Sequence, residues 1–308
     1  MRQPNPDHII KWRERRDFQS GAAFDIKNRL DDLGKTWRNS PSPYMAEFVP
    51  MRISTCIEVY VRELIDAGNP YSDQAAKLVN NGKLDLAFAA HLAGKRLSIG
   101  DFVAHSVSIN SIDAVISIFT TLIVDFIPKL KTAHALWTEE ECSWPLDPII
   151  EDYERTVSSL YKMFEVRHVL THELPDASIV DDLDVEELCK AASLFVDACD
   201  WVVVAELHGS VPRTQTAMNI GAGAGLEEAQ LLLNAAFSDV EVLSGIDGDK
   251  LQEVQSLWKK FSDSQASLVA SQVEGGSMYP MMWASQKEAL VTDRTEQLLR
   301  IIDEWMDK

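Results

Sequence analysis

The segment Phe164-Glu-Val-Arg-His-Val-Leu-Thr-His-Glu-Leu-Pro175 gathers Arg167, His168, His172 and Glu173 at the end of an amphipathic run that Pro175 is placed to stop. An arginine followed after four residues by a histidine pairs a permanent cation with a group that exchanges a proton near neutral pH, a minimal kit for phosphate chemistry. On a regular helix five residues span about 500°, so Arg167 and His172 point some 140° apart, whereas His168 and His172, four apart, share a face. A joint Arg/His site therefore needs a distorted last turn or residues contributed by two chains. The histidine pair also has zinc-compatible spacing, but no His-Glu-x-x-His and no third ligand accompany it, so neither metal nor cofactor is expected. The plainer reading is a helix end in which Glu165 or Glu173 pairs with Arg167 and His172 caps the last turn.

The elements that must hold these residues read as helices. Ile149, Tyr153, Val157, Leu160, Phe164 and Leu170 recur at helical spacing and predict one long helix from Pro148 to His172. Asp184 is placed to cap a further helix through Leu188, Leu194, Phe195, Trp201 and Val204 to Leu207. Upstream, Asp7 to Trp37 predicts one or two helices interrupted at Gly21, with Phe24, Ile26, Leu30 and Leu33 among their apolar positions. Ser40-Pro-Ser-Pro43 is a turn, and Tyr44 onward predicts a core helix carrying Met51, Ile53, Ile57, Val61, Leu64 and Ile65, closed by Gly68-Asn69-Pro70. Glu58 and Arg62, four apart on it, predict an intrahelical ion pair. Short helices are expected at 72–79 and 84–92, separated by Asn80-Asn81-Gly82, with another element after Gly100-Asp101 and a largely buried helix from Ser111 to Lys131. The charged turn Thr138-Glu-Glu-Glu-Cys-Ser-Trp-Pro145 reads as a surface loop. His91, His105 and His134 lack paired ligands and read as ordinary structural or surface histidines.

Charge narrows the partners. A formal charge of -19 argues against broad, nonspecific nucleic-acid binding, so any RNA contact has to be local. The first forty residues differ, with nine Lys and Arg against six acids, and Lys11 to Arg16 reads as a solvated helix face. The opening residues lack the apolar core and cleavage site of a secretory signal, and no run reaches the roughly 18 apolar residues of a membrane span. Four cysteines without Cys-x-x-Cys spacing read as reduced thiols of a cytoplasmic protein.

A helix ending in Arg167-His168-x-x-x-His172, followed by one long apolar helix and preceded by the Met51–Ile65 helix, resembles the HEPN (higher eukaryote and prokaryote nucleotide-binding) domains. Their helical fold carries an arginine-x4–6-histidine motif with a polar residue after the arginine, which Arg167, His168 and His172 match position for position; the resemblance covers this motif and the helix order of roughly residues 1–208. The resemblance implies a metal-independent endoribonuclease of a bacterial toxin–antitoxin or antiphage defence system, active as a homodimer that brings two motifs together. It also implies roles. His172 would be general base or acid for attack of a ribose 2′-OH on phosphorus, Arg167 would hold the scissile phosphate, and His168 would orient or assist.

Gly209-Ser-Val-Pro212 breaks the chain and predicts a linker at 209–213. Beyond it, helices are expected at roughly 214–243, 249–272 and 283–307, with inner faces drawn from Leu231, Leu232 and Phe237, then Val254, Leu257, Trp258 and Phe261, then Leu290, Leu298, Ile301, Ile302 and Trp305. Three stretches carry a second resemblance: Thr214-Gln-x-x-Met-Asn219 with Ala222; Gln255-x-x-Trp-x-x-Phe-x-Asp263; and Glu274-Gly-Gly-Ser-Met-Tyr-Pro280 followed by Arg294-Thr-x-x-Leu298. Together they look like the LprI-type lysozyme-inhibitor domain over residues 214–308. Secreted members carry cysteines near Ile220-Gly221, Ala266 and Ser285-Gln286, and this segment has none, which fits a reducing compartment. Gly275-Gly276-Ser277 reads as a turn and Trp258, Trp283 and Trp305 as core. The alternative makes the Gly-Gly-Ser-Met-Tyr-Pro loop an edge for an antitoxin or phage-protein partner.

The expectation is therefore an all-α chain, an HEPN-like bundle followed by a small three-helix LprI-like domain, cleaving RNA as a cytoplasmic homodimer without contact to a membrane. A non-catalytic helical module for dimerisation or binding is the alternative, and nucleotide recognition through Arg167 without cleavage a third.

Overall fold

Asp152, Asp184, Ser98 and Ser111 each turn a side chain onto a backbone N–H and start a helix. Satisfying an orphan donor of the first turn in this way favours the helical start by about 1 kcal/mol. The computed structural model describes residues 5–14, 22–66, 74, 77–79, 86–94, 97–173, 178–181 and 183–306. Gly21, Arg15, Arg16, Gly68-Asn69-Pro70, Asn80-Asn81-Gly82, Pro175 and half of the 72–79 segment lie outside these residues. The architecture is all-α; the sole β feature among the described residues is an isolated bridge between Trp137 and Val211.

The chain forms two compact units. Residues 1–136 and 143–209 make the first, built from α1 (Pro6–Glu14), α2 (Ala22–Asn39), α3 (Pro43–Asp66), α4 (Leu86–Ala93), α5 (Ile99–Ser106), α6 (Ile112–Leu122), α7 (Phe126–Thr132), α8 (Tyr153–His172), α9 (Ser178–Asp181) and α10 (Val185–Leu207). Helix α3 is the hub, packing on α2, α5, α8, α9 and α10. Its Ile53, Ile57, Val61 and Ile65 are buried as the periodicity predicts, and Glu58 pairs with Arg62 at 2.7 Å. Met51 and Phe24, at predicted apolar positions, are instead exposed.

The single helix expected from Ser111 to Lys131 is two, α6 and α7, separated by a break at Ile123–Asp125 where Asp125 adopts φ 56°. Pro128 explains the restart. In a continuous helix it would remove a backbone bond, but within the first turn of α7 its missing N–H costs nothing. The break also stacks Phe119 on Phe126 at 4.7 Å, both fully buried. Likewise α8 starts at Tyr153 rather than near Pro148, because the Asp152 carboxylate accepts from Arg155 N at 3.0 Å and caps the helix there.

The second unit comprises residues 210–308 together with 137–142. Its helices are α11 (Gln215–Glu241), α12 (Gly248–Ala270) and α13 (Tyr279–Met306), and α13 packs on both of the others. Its core is Ala229, Leu233, Ala236, Val240, Leu251, Val291 and Leu298. Leu231, Leu232, Val254, Leu257 and Phe261, expected to face inward, are exposed. The inward positions of α12 are Leu251, Ser262 and Ala266 with half-buried Trp258, a face rotated by about 100° from the predicted one.

The segment expected to be a surface loop is a 3-10 helix, Thr138–Ser143, whose residues up to Cys142 belong to the second unit. Thr138 N donates to Val211 O at 3.0 Å, and the Glu139 carboxylate accepts from Arg213 N and Thr214 N at 3.0 and 2.7 Å. Arg213 pairs with Glu140 at 2.8 Å. The Arg213 N–H, helped by that of Thr214, holds the Glu139 carboxyl down to about 2 from an ordinary 4.5. A carboxyl depressed on folding contributes stability above its unfolded pKa and loses it as pH falls through the folded one. The thermal-unfolding difference between wild type and Glu139→Gln should therefore be full above pH 4.5 and close as pH falls toward 2; a difference independent of pH across that window would refute the assignment.

None of the four cysteines is in a disulfide; Cys142 is exposed and Cys56, Cys189 and Cys199 are buried. Burial raises the thiol pKa of all three, to about 12 for Cys189. Only a thiolate is nucleophilic, so the native protein should react promptly with one equivalent of Ellman's reagent and with the other three only on unfolding. Loss of the prompt equivalent in Cys142→Ser checks the assignment.

Candidate functional site

Helix α8 delivers the Arg/His motif on its last turn and a half. Thr156, Val157, Leu160, Met163, Phe164 and Val166 bury the inner face of the helix, leaving Arg167 half-buried at the margin of that face and His168 and His172 exposed. The helix stays regular to its end, with Glu173 N donating to Val169 O at 2.8 Å in the i→i−4 pattern. A distorted last turn is therefore excluded as the means of bringing Arg167 and His172 together within one chain; they diverge by about 140°. The two histidines do meet, their ring centroids 4.8 Å apart and tilted by 53°.

Among the described residues neither Glu165 nor Glu173 forms an ion pair with Arg167, and neither imidazole makes a hydrogen bond. The local bond of this turn is Thr171 Oγ1 donating to Arg167 O at 2.7 Å. Tyr161, Glu165, His168 and His172 form one exposed stripe at helical spacing. Tyr161 donates its hydroxyl to Asp113 on α6, and that hydrogen bond to a carboxylate raises the phenol's pKa. No group of three or more His, Cys, Asp or Glu side chains suited to a metal occurs among the described residues.

A cavity of about 620 Å3 lies elsewhere in this unit, between α2 and α10, with Asp31, Lys35, Arg38, Glu186, Lys190 and Ser193 on its walls. None of the motif residues lines it. Nearby on α10, burial and the Asp197 charge hold Asp200 up to about 6, against the pull of Lys27, which pairs with Asp197 at 2.6 Å. Sequence patterning flagged none of these groups, because they belong to two helices far apart in the chain and share no short motif.

In the second unit the three signature stretches converge on the packing of α13. Thr214 caps α11 by accepting from Ala217 N at 3.2 Å, and Asn219 Nδ2 donates to Ser277 O at 3.1 Å, tying the glycine turn to that helix. Gly275 sits at φ +76°, a conformation that favours glycine. Lys287, buried at 5% exposure, donates to Ser262 Oγ and Asp263 Oδ1 at 2.6 Å each and lies 5.3 Å from the Trp258 ring centroid. Arg294 Nε donates to Gln255 Oε1 at 3.1 Å, and Leu298 is fully buried. Thr214, Asn219, Gln255, Trp258, Asp263, Arg294 and Leu298 of the signature thus hold the three-helix unit together, while its Phe261 and Met278 are exposed.

The fold defines an all-α protein of two helical units, with no described helix long and apolar enough to cross a membrane. Residues 210–298, the larger part of the second unit, match the family described as Lysozyme inhibitor LprI. No curated protein and no solved structure matches the chain.

Proposed function

We propose that the first unit is a metal-independent endoribonuclease of toxin or defence type, acting through Arg167 and His172 at an interface between two copies, with His168 assisting. The observation that supports this is the uncommitted state of the motif among the described residues: a half-buried guanidinium and two exposed imidazoles with no internal acid or carbonyl satisfying them. A purely structural helix end would pair the arginine and cap with the histidine. Because the two side chains diverge on a regular helix, the reacting phosphate sits between Arg167 of one copy and His172 of another. The second unit recruits or senses a protein partner, a role that its similarity to a family described as an inhibitor of an enzyme supports. Incubating the protein with mixed RNA in EDTA should yield 2′,3′-cyclic phosphate ends; intact RNA at micromolar enzyme would reject the proposal.

A second reading, a non-catalytic binding module, draws on the same divergence of Arg167 from His172 and on the net charge of -19, which repels a polyanion. RNA or nucleotide that binds without product would favour it.

A further inference from the structure

Helix α12 carries a second apolar face that the three-helix unit leaves uncovered. Val254, Leu257, Phe261 and Leu268 are 49%, 60%, 57% and 65% exposed, and with Lys250 and Ser264 they recur at alternating four- and three-residue steps, the seam of a two-stranded coiled coil. The face that packs inside the unit, through Leu251, Ser262 and Ala266, is a different one. On the solvent edge of the seam stand Glu253 and Lys260, seven residues apart and of opposite sign.

We infer that α12 pairs antiparallel with α12 of a second copy of this chain, about a two-fold axis passing midway between Val254 and Leu257. Charge complementarity selects this occupant and this direction. Antiparallel pairing that sets Glu253 opposite the partner's Lys260 also sets Val254 opposite the partner's Leu257 and Phe261 opposite the aliphatic stem of the partner's Lys250, and the two-fold repeats each contact. One register thus satisfies the layers from Lys250 to Phe261 and the rim charges together, with Leu268 beyond the paired stretch. Parallel pairing would place Glu253 against Trp258 and Lys260 against Gln265, and would forgo both ion pairs. The rim pairs add little affinity but set orientation and partner choice. The pairing rests on the second unit alone and does not depend on RNA cleavage by the first.

Sedimentation equilibrium of the full chain tests this. The wild type should dimerise in the micromolar range, and Leu257→Glu should weaken the dimer on the order of 100-fold, with unchanged circular dichroism because the position is exposed. Glu253→Lys and Lys260→Glu should each weaken it through like-charge contacts, and the double variant Glu253→Lys/Lys260→Glu should restore it, which only self-pairing in this register predicts. A wild type monomeric at 100 μM, a dimer indifferent to Leu257→Glu, or a double variant no better than the singles would overturn the proposal. A dimer that persists in Leu257→Glu and still cleaves RNA would overturn it while sparing the cleavage reading; a dimer lost in Leu257→Glu beside an RNA-inactive wild type would do the reverse.

Discussion

Alanine at Arg167 or at His172 is expected to lower RNA cleavage by about 10²–10³-fold, the usual loss on removing a phosphate-holding donor or a general acid–base. His168→Ala should cost less, since an assisting group transfers no proton itself. The regular end of α8 makes a sharper forecast. If each site takes its arginine from one chain and its histidine from another, mixing Arg167→Ala with His172→Ala protein recreates one intact site in every heterodimer. Random pairing makes half the dimers heterodimers with one of two sites intact, so the mixture should recover about a quarter of wild-type activity. A site within one chain recovers none. The measurement is initial cleavage rate against mixing ratio, after incubation long enough for subunit exchange; a flat, inactive profile would refute the shared site.

The second large effect concerns stability. The core of the second unit rests on few side chains, among them fully buried Leu233 and Leu298. Leu233→Ala should cost about 2–5 kcal/mol, the transfer term plus the cavity left behind. For a unit of about 100 residues that lowers the corresponding thermal transition by roughly 10–20 °C. Leu231→Ala and Leu232→Ala, at neighbouring positions but exposed, should move it by about 2–3 °C at most, since surface changes stay within about 0.5 kcal/mol. Calorimetry of the three variants in the full chain decides it; equal shifts would mean that the helix is rotated from the orientation described.

The contrast between Leu233 and its neighbours also shows what patterning could and could not reveal. Helix existence was legible wherever a cap and an apolar period coincided, as at Asp184 and along Ile53–Ile57–Val61. Facing was not legible where a helix carries two apolar stripes. On α12 the bulkier one, Val254–Leu257–Phe261, faces outward, while the inward stripe is diluted by Gln255 and Ser262, whose partners Arg294 and Lys287 lie on another helix. Helix ends failed where one residue decided them: Pro128 restarts a chain whose hydrophobicity runs on unbroken, and Asp152 outweighs the apolar Ile149. For the candidate site, the motif and its position at the end of α8 could be read from residue types. That the helix remains regular to Glu173 is a matter of backbone bonding, which residue types do not encode.

The Glu139 clasp changes what counts as a cut. The linker after Gly209 looks like the natural place to divide the chain for separate expression, yet a fragment beginning there lacks Thr138 and Glu139, and with them the acceptor for the N–H groups of Arg213 and Thr214. Such a fragment starts its first helix with a frayed entrance, whereas a full chain nicked by protease at 209–213 still owns every group of the clasp. Separability of the second unit is therefore a question of which covalent pieces are present, not of where the backbone is continuous.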